Sequence, residues 1–78
     1  MREIDRITFD QDIMGGQGCI RGMRITVSLV LNLLASGMTI QDIVRDYPPL
    51  EAEDIIQALH YAEFLAQDRF DLMDKRAA

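Results

Sequence analysis

Ser28-Leu29-Val30-Leu31-Asn32-Leu33-Leu34-Ala35-Ser36-Gly37-Met38-Thr39-Ile40-Gln41-Asp42-Ile43-Val44-Arg45-Asp46-Tyr47-Pro48-Pro49-Leu50 is the stretch from which the fold is read. Ser28 to Ser36 predicts a helix that carries no charge and is apolar on nearly every side, the pattern of a helix buried all round. In so small a protein, one wall of that burial falls to a second subunit. Gly37 is the left-handed terminator. Thr39 starts a second helix, and Thr39 with Asp42 makes a capping-box-like pair in which a carboxylate stands in for the usual Glu or Gln. Met38 and Ile43 are spaced as a hydrophobic staple. Ile40, Ile43, Val44 and Tyr47 lie on one face, and Pro48 ends the helix because it pushes Tyr47 out of the helical region.

Towards the C-terminus, a third helix is predicted from about Ala52 to Asp68. Glu53 and Asp54 occupy its first turn, where the helix dipole favours them, and Leu50 and Ile55 are spaced as another staple. Ile55, Leu59, Ala62 and Ala66 form its apolar stripe, widened by Ile56 and Leu65. The tail, Arg69 to Ala78, mixes charges with Phe70, Leu72 and Met73; it either extends the helix or stays mobile. Towards the N-terminus, Arg6-Ile7-Thr8-Phe9 and Arg24-Ile25-Thr26-Val27 alternate polar and apolar residues, as half-buried strands do. Between them runs the glycine-rich Gly15-Gly16-Gln17-Gly18-Cys19-Ile20-Arg21-Gly22, which disfavours helix. These pieces are expected to be two edge strands joined by an irregular loop, paired within the chain or between two chains. A lone pair of strands is marginal, so they must pack on the helices.

The whole is a single domain, 1–78: a β arm with its loop (1–27), a helical core (28–68) and a tail (69–78). With 78 residues, its core supplies only roughly 3–5 kcal/mol. Cys19 is the single cysteine and His60 the single histidine, so neither an internal disulfide nor a structural zinc site can add to that. Oligomerisation, most simply a homodimer, is the expected supplement. No stretch reads as a signal peptide or approaches the ~20 apolar residues of a membrane span, so a soluble, cytoplasmic protein is expected, without membrane partners. The net charge is −5 and the pI about 4.5, against non-specific nucleic-acid binding. The excess lies in residues 38–63, which hold Asp42, Asp46, Glu51, Glu53, Asp54 and Glu63 against Arg45 alone.

Two short helices joined by a tight turn, after a first helix, are laid out as a helix-turn-helix. The fold class expected is therefore mainly α: a three-helix helix-turn-helix domain, homeodomain- or winged-helix-like, with a short N-terminal β arm. A DNA-reading third helix would present Glu51, Glu53, Asp54 and Gln57, yet carboxylates there repel phosphate. Basic contacts would have to come from Arg6, Arg21, Arg24 or a dimer partner. The glycine-rich loop with Arg21 and Arg24 has two readings. One is an anion cradle of backbone N–H groups and guanidinium forks. The other, favoured one is a structural loop whose arginines pair with Asp10, Asp12 or a neighbouring helix end. Cys19 reads as a small core residue beside Ile20, and His60 as half-exposed. Nothing orients the two as nucleophile and base, so no catalytic residue, metal or cofactor is expected.

Gly15-Gly16-Gln17-Gly18-Cys19-Ile20-Arg21-Gly22-Met23-Arg24-Ile25-Thr26-Val27, then Leu33-Leu34-Ala35-Ser36-Gly37-Met38-Thr39, then Ile43-Val44-Arg45-Asp46-Tyr47-Pro48-Pro49-Leu50 and Glu53-Asp54-Ile55 resemble the prokaryotic family called domain of unknown function 433, over roughly residues 6–63. The resemblance implies a helix-turn-helix-like fold and, for some members, likeness to VapB-type antitoxins. Such antitoxins bind and inhibit a PIN-like ribonuclease toxin and often bind their own promoter as dimers. It places Gly16, Cys19, Ile20, Arg21, Gly22, Arg24 and Ile25 in a signature loop and strand. The chain departs from the pattern in Gln17-Gly18, where Lys-Pro is usual, in Glu51, where Thr is usual, and in Ile56, where a polar or basic residue is usual. Each change lowers affinity for phosphate.

The function expected is thus an antitoxin-like, non-enzymatic binding protein that neutralises a PIN-like ribonuclease and autoregulates its operon on promoter DNA. Phe64, Phe70, Leu72 and Met73 are the expected toxin contacts, and Arg21 and Arg24 position the loop. The alternatives are a stand-alone DNA-binding transcriptional regulator and a structural dimerisation or adaptor module.

Overall fold

The computed structural model describes the backbone of residues 4–77 and the side chains of residues 4–67. The chain forms β1 (Ile7–Phe9), a 3-10 turn (Met14–Gly16), β2 (Gly18–Ile20), α1 (Val27–Ala35), α2 (Ile40–Asp46) and α3 (Ala52–Ala77). It is a small, mainly helical domain in which an antiparallel pair of strands packs on three helices.

The first strand lies where the alternation placed it; the second does not. β1 pairs with β2 in the register Ile7 with Ile20, Thr8 with Cys19 and Phe9 with Gly18, so the second strand sits inside the glycine-rich stretch. Arg24–Val27 is consumed differently. Immediately after β2, Met23 N–H donates to Ile20 C=O at 2.8 Å. Arg21 and Gly22 between them take φ of 46° and 72°, positive at both central positions, as in the hairpin turns of mirror-image type. The turned-back chain pairs with β2 through a bridge from Thr26 to Cys19, with Ile20 N–H donating to Ile25 C=O at 2.9 Å. Thr26 then caps α1, its side chain accepting from Leu29 N–H at 3.0 Å, and Val27 is already helical. A Cβ at Gly18 would lie 3.2 Å from the Phe9 ring, so a side chain there requires that exposed ring to shift by a few tenths of an ångström.

The helices follow local chemistry closely. α1 starts one residue before Ser28 and ends at Ala35, with Gly37 N–H bonded to Leu34 C=O. The capping box of α2 is complete: Asp42 N–H donates to Thr39 Oγ1 at 3.1 Å, and Thr39 N–H donates to Asp42 Oδ2 at 3.0 Å. The Thr39 N–H and hydroxyl, joined by the Arg45 guanidinium, hold the Asp42 carboxyl below its usual range. Beyond the Pro48-Pro49 turn, α3 runs to Ala77, so the backbone of the tail continues the helix.

The core gathers Ile7 and Ile20 from the strands, Val27 and Val30 from α1, Ile43 from α2, Leu50, and Ile55 and Ala58 from α3. Cys19 is buried beside Ile20. α1 departs from expectation. Of its nine residues only Val27 and Val30 are buried, because two short strands and one stretch of α3 cover one side of it.

Candidate functional site

Two features stand out, one at each end of the described part of α3. The first is built around Asp54. Its side chain is fully buried, 0% exposed, at a position where a bare carboxylate would be costly. The turn after β2 aims Arg21 at it: Nε donates to Oδ1 at 3.0 Å and Nη2 to Oδ2 at 2.9 Å, the two-pronged geometry that only an arginine supplies. Arg21 Nη2 also donates to Pro49 C=O at 2.7 Å. Arg6, just ahead of β1, donates from Nη1 to Asp54 Oδ1 at 3.1 Å and also pairs with Glu51. Finally Glu51 N–H donates to Asp54 Oδ2 at 2.8 Å.

Asp54 therefore does two jobs. It serves as the side chain that reaches back to the start of its own helix, the reciprocal half of a capping box. It also clamps two arginines from the β arm. Burial pushes the Asp54 carboxyl up, but hydrogen bonds from Arg21, Glu51 N–H and Arg6 outweigh it and hold the carboxyl below its usual range. The Asp54 carboxylate raises the Arg21 guanidinium above its usual range, and Glu51 first and then Asp54 raise that of Arg6.

Gln57, one turn on and 7% exposed, completes the clamp. Its Oε1 accepts from Arg6 N–H at 2.8 Å and Asp5 N–H at 3.1 Å, and its Nε2 donates to Asp5 Oδ1 at 2.9 Å. The amide oxygen has lone pairs for both backbone N–H groups, while its nitrogen donates to the Asp5 carboxylate.

These positions correct part of the sequence reading. Asp54 and Gln57, expected on a DNA-facing surface, are buried against the N-terminal arm, because the arginines and amides of that arm need acceptors. Glu51 is exposed but engaged with Arg6, and Glu53 is partly buried. Of the signature loop, Arg21 is a structural clamp, Ile20 and Cys19 are core, and Gly22 N–H is bonded to Thr8 Oγ1 at 2.8 Å. Gly16 closes the 3-10 turn beside Gln11. Arg24 is exposed and joins none of these ion pairs. The partner of Arg21 is the start of a helix, one of the partners named for it, and not Asp10 or Asp12.

The acidic excess of residues 38–63 is also less bare than the sequence implies. Arg6 and Arg21 offset Glu51 and Asp54, and Arg45 pairs with Asp42 and Asp46. Glu63 faces His60 at 3.6 Å. Arg6 was missed as a clamp residue, since its partners lie 45 and 48 positions away.

The second feature is apolar. From Glu63 to Gln67 every residue of α3 is exposed, including Phe64 at 47% and Leu65 at 58%. Between this part of α3 and α1 runs a groove lined by Val27, Leu31, Tyr61, Ala62, Leu65 and Ala66. It continues past Gly18 and Ser28 towards Phe9, which is 60% exposed and packs edge-on against Tyr61 with ring centroids 5.7 Å apart. Of the expected toxin contacts, Phe64 is exposed; Phe70, Leu72 and Met73 lie outside the described side chains. Among the described residues there is no group of three or more His, Cys, Asp or Glu able to hold a metal ion, and no helix long and apolar enough to cross a membrane.

Residues 7–62 match the family model described as "Protein of unknown function (DUF433)". An uncharacterised protein of Sinorhizobium fredii, y4eO, is 39% identical over 62 residues, which are 80% of this chain and 27% of that protein. The crystal structure of a member of the same family from Anabaena variabilis superposes with a TM-score of 0.69 at 28% identity, over 91% of this chain and 66% of the other. The chain thus spans about a quarter of the first relative and about two thirds of the second.

Proposed function

Because this chain belongs to the DUF433 family, whose description leaves its role open, we propose that it is a non-catalytic binding domain of antitoxin type. Its partner in this reading is a PIN-like ribonuclease, and the contact is made by the distal half of α3. The observation that carries the reading is the exposure of Phe64 in the stretch Glu63 to Gln67 of α3, where every residue is exposed. A helix that offers an aromatic residue away from its own core suits helix-in-groove recognition, in which a few apolar anchors supply most of the affinity.

The α2–α3 corner has the order of a helix-turn-helix, and repression of its own operon is kept as a secondary role. DNA reading by the first turn of α3 is disfavoured, because Asp54 and Gln57 are engaged with the arm and Glu51 and Glu53 repel phosphate. Any promoter contact would have to use exposed cations such as Arg24 and Arg45.

The test is co-expression with the adjacent open reading frame. The neighbour is expected to be toxic alone, to be relieved by this chain and to co-purify with it, and Phe64→Asp is expected to weaken the complex at least tenfold, about 1.4 kcal/mol. A harmless neighbour, or full capture by the Phe64→Asp variant, removes the reading. Tight, steeply salt-dependent binding to upstream DNA without a protein partner would replace it with the regulator.

A further inference from the structure

We infer that the groove between α1 and α3 is a self-interface, filled by a second copy of this chain around a two-fold axis. Three observations converge on that occupant. The first is charge. Each copy carries −5, so two copies repel across most pairs of faces. The lining of Val27, Leu31, Tyr61, Ala62, Leu65 and Ala66 holds no ionisable group except the Tyr61 phenol, and α1 as a whole has no charged residue. A cationic partner would find nothing to pair with there, whereas an acidic chain meets its own copy at least electrostatic cost on this face.

The second observation is burial. α1 has the composition of a helix enclosed on all sides, yet only Val27 and Val30 are buried. Leu29, Leu31, Leu33 and Leu34 are half-buried, and the chain has no disulfide to compensate for a small core. A two-fold contact presents the same patch twice, so α1 would acquire its missing wall from the other subunit.

The third is area. A stable interface covers roughly 800 Å² per partner. α1, about 14 Å long at 1.5 Å per residue, is too short to supply that alone, and Tyr61, Ala62, Leu65 and Ala66 of α3 extend the apolar face alongside it. The groove joins the two helices, and the strip from Phe9 and Tyr61 to Leu65 and Ala66 makes it continuous.

This interface is separate from the one proposed for the nuclease. Leu65 and Ala66 line the groove, while Phe64 is not among its lining residues. The experiment is sedimentation or light-scattering mass of the full chain from 1 to 100 µM, with circular dichroism to follow folding. The wild type is expected to run as a dimer, unaffected or tightened by added salt because the residual force between copies is repulsive. Leu65→Glu and, independently, Ala66→Glu are expected to give folded monomers, with the dissociation constant raised at least a hundredfold. Phe64→Asp is expected to remain dimeric while losing the nuclease. A wild type that is monomeric at 100 µM overturns the inference, as does a dimer that survives both glutamate substitutions. A monomer that buries this groove only in a heterocomplex overturns it too.

Discussion

The two ends of the described part of α3 invert the usual relation between polarity and exposure. At the first turn, Asp54 and Gln57 are buried, held by Arg6, Arg21 and backbone amides of the arm. Three turns later, Phe64 and Leu65 are exposed. The buried end is fully satisfied: among the described residues no buried side-chain nitrogen or oxygen lacks a hydrogen-bond partner. Its polar groups tie the β arm to one place on the helix. The exposed end has no such ties, so its apolar side chains are available for association. The clamp lies at one end and the proposed recognition at the other, and substitutions should separate the two.

The largest effect is expected at Asp54. Asp54→Ala leaves two guanidinium groups and Glu51 N–H without their acceptor and should cost about 3 kcal/mol, the lower part of the range for a broken buried pair because both arginines are partly exposed. A domain of this size should then melt more than ~12 °C lower; an unchanged melting temperature would remove the clamp from the account. Acid should act on the same group. The folded Asp54 carboxyl is held below its usual value, so its contribution is complete above the unfolded carboxyl range, near pH 4. It is lost as pH falls through the lower, folded value. Thermal melts from pH 6 to pH 2.5 should therefore show a steep loss at the acid end, and Asp54→Asn should flatten it.

Gln57→Ala comes next. It strips acceptors from two backbone N–H groups in a partly buried setting and should cost about 2 kcal/mol in denaturant unfolding. Thr39→Ala removes one half of the α2 capping box and should cost about 1 kcal/mol. At the other end, Phe64→Asp should shift folding stability by no more than about 0.5 kcal/mol while weakening partner capture at least tenfold. Should Phe64→Asp destabilise as much as Gln57→Ala, the separation between the ends fails.

What was legible in the sequence was local. Gly37, the Thr39–Asp42 pair and Pro48 mark helix boundaries through bonds that span no more than four residues, and each acts where its chemistry places it. Thr26 misled, because its alternating neighbours spell a strand while its hydroxyl serves as a helix cap. The clamp was illegible for a different reason. Arg6 and Asp54 are 48 positions apart, and nothing in either residue's neighbours specifies the other. Gln57 looks like a base-reading side chain because amides serve that purpose on recognition helices; its true partners are backbone amides, which every residue possesses. The apolar groove was half visible. The charge-free composition of α1 spells a helix enclosed on all sides, but that it faces a groove bordered by Tyr61, Leu65 and Ala66 depends on how α3 packs.

The clamp also dictates the order in which this domain is completed as it is made. Arg6 and Arg21 are synthesised before Asp54 and Gln57, so until the root of α3 is made the arm's guanidinium groups have only water for a partner there. Only when the root of α3 emerges does the arm acquire an anchor, closing a loop of about fifty residues at an entropic cost near 3.5 kcal/mol. A chain that lacks α3 has neither the anchor of the arm nor Ile55 and Ala58, which complete the core against α1 and α2.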